Sequence, residues 1–312
     1  MSHRIVFLDR ETLDAALRAP SFPHAYAEYP VTAPDEIVER LRDAQIAIIN
    51  KVPMRAETLQ QLPALKLIAV AATGTDVVDK AAAKAQGITV VNVRNYAFNT
   101  VPEHVIGLIF ALRRAIVPYA NSVRRGAWGE ARHFCYFDYP IRDVAGSTLG
   151  IVGYGALGKS IGRRAEALGM TVLAYDVIPQ DGLVDLATIL RESDVITLHA
   201  PLTPETRNMI GAPELAAMKR DAILINTARG GLVDEEALAE ALKAGRIGGA
   251  GFDVLTTEPP RQGNPLLALD LPNLIVTPHV AWASKQAMQL LADQLVDTIE
   301  AFVAGRPQNV VE

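Results

Sequence analysis

Residues 148–176 read TLGIVGYGALGKSIGRRAEALGMTVLAYD. The apolar run LGIV leads into Gly153-Tyr154-Gly155-Ala156-Leu157-Gly158. A helical pattern follows, and a second apolar run, TVLAYD, ends on Asp176. Three glycines at this spacing arise often by chance. Set between a strand and a helix, with an acid closing the next strand, they acquire a physical reading. Gly153 permits a tight turn, Gly155 lets backbone approach a pyrophosphate, and Gly158 lets helix and strand pack closely. The helix start then presents N–H groups to the anion. Asp176 can accept hydrogen bonds from the ribose hydroxyls of an adenosine and repel a 2′-phosphate. No arginine follows in VIPQDG to hold such a phosphate. A dinucleotide site is expected, with NAD favoured over NADP.

On either side of this unit the same rhythm continues. Upstream lie RIVFLD (from Arg4), AQIAIIN (from Ala44), LKLIAVAA (from Leu65) and ITVVNV (from Ile88). Downstream lie DVITLHA (from Asp194), AILINTA (from Ala222), GAGFDV (from Gly249) and LIVTP (from Leu274). Continuous apolar strands separated by helical spacers imply parallel sheets covered on both faces. Two such series predict an α/β chain of two doubly wound parallel-sheet domains. The boundary falls near Asn99–Val101. VPEHVIGLIFALRR, beyond it, reads as a long helix with little polar face, either a buried linker or a surface for a second subunit. Residues 121–143 hold Trp128, His133, Phe134, Tyr136, Phe137 and Tyr139 without a period, as in an extended arm. Such an arm also favours a dimer. A last helix is expected near Ser284–Ala304, with Met288, Leu291, Leu295, Ile299 and Phe302 at helical spacing.

Composition narrows the function classes. Of 312 residues 50% are hydrophobic and 21% charged, which fits a folded chain with a substantial core. The net charge of −5 and the scatter of basic pairs (Arg113-Arg114, Arg124-Arg125, Arg163-Arg164) argue against nucleic-acid binding. No apolar run approaches the roughly 18 residues that cross a bilayer. MSHRIVFLDR reaches charge too soon for a secretory leader, and a single cysteine, Cys135, excludes an internal disulfide framework. A cytoplasmic protein is expected.

Three polar residues follow apolar runs in the second half. Arg229 follows AILINTA, Glu258 lies just beyond GAGFDV, and His279 closes LIVTPH. Taken singly, each has an ordinary structural reading. Together, a cation, a carboxylate and an imidazole at successive strand exits can converge on one crevice. His3, His24 and His133 have no such context, whereas His199 and His104 are ambiguous. His199 sits at a strand end on the cofactor side. No set of His, Asp and Glu has metal-ligand spacing, so no metal is expected.

With these residues in place the chain resembles the D-2-hydroxyacid dehydrogenases over essentially its whole length. INTARGGLVDEEALAEALKAGRIGGAGFDVLTTEPP and LIVTPHVAWAS are the most specific segments. AATGTDVVD, FCYFDYPIRDVAG and PHVAWAS are most similar to the glycerate dehydrogenase (hydroxypyruvate reductase) branch. The resemblance implies a flavodoxin-like substrate domain, residues 1–99 with 285–312, and a Rossmann NAD-binding domain, residues 100–284. A cleft would lie between them, with hinges near Asn99 and Trp282. It also implies a homodimer through the NAD domain, a small 2-keto or 2-hydroxy acid as substrate, and Arg229, Glu258 and His279 as catalytic positions. Arg229 would bind carboxylate and carbonyl oxygens with its planar fork. His279 would give the carbonyl oxygen its proton, and Glu258 would hold the second ring nitrogen. Ala156, Leu157, Thr206, Thr227 and Ala228 would contact the cofactor, and Asp253 would hold the nicotinamide amide. Thr73 and Gly74 would offer backbone N–H groups to the substrate carboxylate, and Trp282 would wall the pocket. Hydroxypyruvate and glyoxylate are the first expected substrates. A corepressor on the same scaffold and a formate or phosphite dehydrogenase are the alternatives. The short chain ends argue against the first.

Two departures stand out. The segment after Asp176, VIPQDGLVDLATIL, is shorter than usual, so the adenosine edge is expected to be trimmed. Asp221 stands where the family usually has glycine, at a turn expected to need positive φ.

Overall fold

A computed structural model describes residues 2–311. The chain divides into two compact units. One runs to Ala97 and resumes at Ala283; the other is Phe98–Trp282. Each switch lies two residues before the expected positions, 99 and 284.

The first unit begins with strands β1 (His3–Phe7) and β2 (His24–Glu28), then α1 (Ile37–Leu41), β3 (Ile46–Ile49) and α2 (Ala56–Leu59). It continues with β4 (Leu67–Val70), α3 (Lys80–Ala85) and β5 (Thr89–Asn92). The strands are parallel, in the order β2-β1-β3-β4-β5. This is the flavodoxin-like doubly wound arrangement. β3 and β4 are buried along their length, as their unbroken apolar runs require. β2 was not expected. As an edge strand it keeps three of its five residues exposed, so HAYAE carries no apolar run.

The second unit opens with α4 (Thr100–Arg113) and α5 (Ile116–Arg124). Then come β6 (Thr148–Val152), α6 (Ala156–Ala167), β7 (Thr171–Tyr175), α7 (Leu186–Glu192), β8 (Val195–Leu198) and α8 (Ala212–Ala217). β9 (Ile223–Asn226), α9 (Glu235–Lys243), β10 (Gly249–Phe252) and β11 (Leu274–Val276) complete it. The six strands are parallel, in the order β11-β10-β9-β8-β6-β7. The order reverses between β6 and β8, where an open α/β sheet forms its ligand crevice. A usual Rossmann sheet has one more strand outside β7. In its place a single Val184 N–H donates to the Ala174 carbonyl at 2.9 Å, so the short segment after Asp176 leaves β7 at the edge.

α4 uses its apolar face within its own unit, burying Val105, Leu108 and Ile109 against the sheet and α6. The arm starts later than expected, because α5 continues to Arg124. It then folds back on α5: Tyr136 and Tyr139 meet Tyr119 edge-on at 5.6 and 5.1 Å, and Trp128 Nε1 donates to the Phe134 carbonyl at 2.9 Å. Asp221 does not adopt positive φ; it pairs instead with Arg142 at 2.6 Å. The last helix, α10 (Lys285–Val303), belongs to the first unit. It buries Leu291, Leu295, Val296 and Ile299 there, and Arg18 bonds Glu300 at 2.9 Å. Among the described residues no helix is long and apolar enough to cross a membrane.

Candidate active site and dinucleotide site

Parallel strands deliver their carboxyl ends to one edge. β9, β10 and β11 are neighbours, and each is followed within a few residues by one member of the trio. Glu258 and His279 meet directly: Nδ1–H of His279 donates to Glu258 Oε2 at 2.6 Å. The other carboxylate oxygen accepts the Leu255 N–H at 2.8 Å, which fixes the acid in its own loop. Nε2 is thereby left as the nitrogen that can exchange a proton with a substrate.

Arg229 is placed by backbone. Buried Asn226, at the end of β9, receives the Ala228 N–H at 3.1 Å and donates to the Arg229 carbonyl at 2.9 Å. A Cβ on Gly230 would strike the Leu255 carbonyl group, so only glycine lets this turn press against the Glu258 loop. The Arg229 guanidinium donates to the Ala228 carbonyl at 2.7 Å. Arg229 and His279 are half-buried, and Glu258 is exposed.

His279 has φ of 56°, a left-handed conformation that costs a non-glycine residue about 1–3 kcal/mol. Asp253 supplies the compensating bonds. Its carbonyl accepts the His279 N–H at 2.8 Å. Its carboxylate accepts Val280 N–H at 2.9 Å, Ala281 N–H at 2.8 Å and the Thr277 hydroxyl at 2.5 Å. Expected as a nicotinamide contact, Asp253 is only 1% exposed and is first a brace of the histidine turn. One acceptor position on Oδ2 remains. Trp282 sits on the same turn, its Nε1 donating to the His279 carbonyl at 3.0 Å.

The glycine loop lies at the β6–β8 reversal. Gly153 has φ of 95°, and a Cβ there would overlap the backbone of His199 and Ala200 at 2.6–2.8 Å. A Cβ on Gly158 would strike the Gly153 carbonyl. A Cβ on Gly155 would meet no protein atom within 4 Å. The first and third glycines are thus required by packing, whereas the second leaves open space in front of the α6 start. That helix has no side-chain cap, so the N–H groups of Ala156 and Leu157 are available to an anion. Asp176 accepts Tyr154 N–H at 2.7 Å and Ile178 N–H at 3.0 Å, which anchors it beside the loop with lone pairs to spare. The Thr227 hydroxyl is buried without a hydrogen-bond partner among the described residues. An orphaned hydroxyl and an open glycine on the same strand-end edge fit a dinucleotide.

Other expected residues make bonds within their own units. The Thr206 hydroxyl donates to the Pro201 carbonyl and accepts the Thr203 N–H, both at 2.7 Å, so it closes its own loop rather than reaching outward. His199 bonds Thr197 at 2.8 Å, and desolvation pushes its imidazole down to about 4, so it stays neutral near pH 7. In the first unit, Thr73 follows β4, and its turn is tied by Thr73 Oγ1 to the Val93 carbonyl at 2.9 Å and by Asn92 Nδ2 to the Thr73 carbonyl at 2.7 Å. Asn226, Gly230 and Thr277 escaped the sequence reading. Each lies within three residues of a trio member, and that adjacency was the available signal.

A parallel doubly wound sheet with this loop, acid and Glu–His pair defines a dinucleotide-dependent oxidoreductase. The family model for the D-isomer specific 2-hydroxyacid dehydrogenase NAD binding domain matches residues 106–281. A glycerate dehydrogenase of Methylorubrum extorquens is 77% identical over 313 residues, covering 100% of both chains. A hydroxypyruvate reductase of Blautia hydrogenotrophica is 38% identical, covering 92% of this chain and 90% of its own. The D-lactate dehydrogenase of Aquifex aeolicus, solved with NAD and lactic acid, superimposes with a TM-score of 0.81 at 27% identity, covering 97% and 96% of the two chains. The chain belongs to the D-isomer-specific 2-hydroxyacid dehydrogenases. It is an NAD-dependent enzyme that interconverts 2-keto and 2-hydroxy acids.

Proposed function

We propose that the enzyme reduces hydroxypyruvate to D-glycerate, and glyoxylate to glycolate, with NADH. The 77% identity to a glycerate dehydrogenase along both full chains supports this choice of substrate. The observation that carries the chemistry is the Glu258–His279 bond of 2.6 Å at the ends of β10 and β11.

When bound, the nicotinamide would supply the hydride that the carbonyl carbon needs. The protein's residues do the rest. Arg229 grips the substrate carboxylate and draws charge toward the carbonyl oxygen. His279 Nε2 delivers the proton to that oxygen. Glu258 accepts from Nδ1–H throughout, holds the ring in orientation and stabilises its charged form before transfer. Thr73 and Gly74 of the first unit, the substrate domain in this reading, add backbone N–H groups to the carboxylate. Gly153, Gly155, Ala156, Leu157 and Gly158 would form the loop that holds the pyrophosphate, Asp176 would hold the ribose, and Thr227 and Ala228 the nicotinamide end. Asp253 offers its remaining acceptor position to the carboxamide. Thr206 and Trp282 act by holding the cofactor loop and the histidine turn.

A homodimer in the reducing cytoplasm completes the proposal. Phe134 is 88% and Phe137 82% exposed, with Trp128 and Ile141 exposed nearby, an apolar surface that a second copy would cover.

The direct test follows NADH absorbance with hydroxypyruvate, glyoxylate, pyruvate and 2-ketoisocaproate. Hydroxypyruvate is expected to give the highest kcat/KM. A preference for the branched acid, or turnover with none, sinks the assignment.

A further inference from the structure

We infer that His104, on α4, is a positioning residue for the His279 turn, acting through the Thr277 hydroxyl and the Asp253 carboxylate; this rests on the proposed role of His279. His104 Nε2 lies 3.2 Å from Thr277 Oγ1 and 3.9 Å from Asp253 Oδ1. Thr277 Oγ1 in turn lies 2.5 Å from Asp253 Oδ1. A hydroxyl has one proton. The ionised carboxylate of Asp253 can only accept, so Thr277 gives it that proton and has only lone pairs left for His104. His104 therefore donates from Nε2–H, and its tautomer is set by the chain of bonds.

The direction of this chain matters. His104 locks the Thr277 rotor. The rotor fixes one edge of the buried Asp253 carboxylate, and that carboxylate holds the N–H groups of Val280 and Ala281. Those two residues follow His279, whose own N–H is held by the carbonyls of Asp253 and Thr277 at 2.8 and 3.0 Å. A left-handed residue relaxes if such bonds slacken, and the ring at its end would swing away from the reacting oxygen. Glu258 steadies Nδ1 from one side. The His104 chain steadies the backbone from the other. α4 packs on β10 and β11, so one helix face supports both strand ends from which the acid–imidazole pair emerges.

The test compares His104→Leu, His104→Gln, Thr277→Val and the Leu/Val double variant by NADH oxidation with hydroxypyruvate. Gln can place its amide N–H where Nε2–H was; Leu cannot. His104→Leu is expected to lower kcat by about tenfold, less than the roughly 10²-fold cost of a full 1 Å misplacement of a reacting group. Both KM values should stay within about twofold, as expected when a step after binding is affected. His104→Gln should restore most of kcat. In the Thr277→Val background the loss from His104→Leu should disappear, because the chain is already cut. Unchanged kcat in His104→Leu, equal damage from Gln and Leu, or additive losses in the double variant would each overturn the inference. Wild-type turnover and His279→Ala are measured alongside; failure there falls on the proposed function instead. Imidazole nitrogen NMR reads the chain without turnover. His104 is expected as the Nε2–H tautomer, with its signal shifted in Thr277→Val, and an Nδ1–H tautomer refutes the relay.

Discussion

The two sheets are built alike and equipped differently. Both are parallel, doubly wound and buried at the centre, and both send strand ends to one edge. In the first, the turn after β4 is tied by two side-chain-to-backbone bonds. In the second, the strand ends carry a glycine loop with no room for two of its Cβ atoms, a left-handed histidine and a carboxylate bonded on both oxygens. The lesson is that the fold provides an edge, and chemistry is added where backbone is held in unusual shapes by buried polar groups.

The sharpest way to break this contrast is His279→Ala. We expect kcat for hydroxypyruvate to fall by about 10²–10⁴-fold, the range for losing a general acid, with NADH binding by fluorescence little changed. Retained turnover would remove the second sheet's claim to the chemistry. Gly153→Ala comes next. Its Cβ overlaps the His199–Ala200 backbone and its φ is 95°, so KM for NADH should rise at least about tenfold and the thermal midpoint should drop. Gly87→Ala in the first unit, where φ is 67° but no atom lies within 4 Å, should cost about 1–2 kcal/mol of unfolding free energy, from backbone strain alone.

Acid pH should separate the units by the windows over which two downward shifts act. His199, in the second unit, is held down to about 4 from its usual 6.5. Below 6.5 the unfolded chain takes a proton that the folded one refuses. Stability is therefore lost as pH falls from 6.5 toward 4, by something on the order of 3 kcal/mol. Urea unfolding at pH 7 and 4.5 should show this loss, and His199→Gln should lessen it. Glu300, in the first unit, is held down to about 2 from 4.5, chiefly by the Arg18 guanidinium. A depressed carboxylate stabilises above its unfolded value, so this contribution is complete above 4.5 and fades toward 2. The pair is partly exposed, and Arg18→Ala should change stability by less than about 1 kcal/mol, the smallest effect of the set.

Much of this was legible in the chain. Ten of the strands announce themselves as apolar runs, because a strand buried on both faces cannot alternate. HAYAE, residues 24–28, did not, since an edge strand keeps side chains in water and needs no such run. Gly153, Gly155 and Gly158 were readable as a set, and the reason for each differs: two are forced by neighbouring backbone, one by the space it leaves. Thr206 and Asp253, expected as cofactor contacts, also bond the protein's own N–H and O–H groups, which no local pattern foretells.

That last difference marks the dividing line. Residue type and order establish the parallel α/β class, the dinucleotide loop and the candidate trio, because burial and turn chemistry act over a few residues and leave a local pattern. Folding was needed to pair Glu258 with His279 across 21 residues, to give Asp253 its three donors and to bring His104 to Thr277 across 173. Hydrogen bonds between side chains depend on ångström distances and on which lone pairs are already filled. Neither is written in the order of residues.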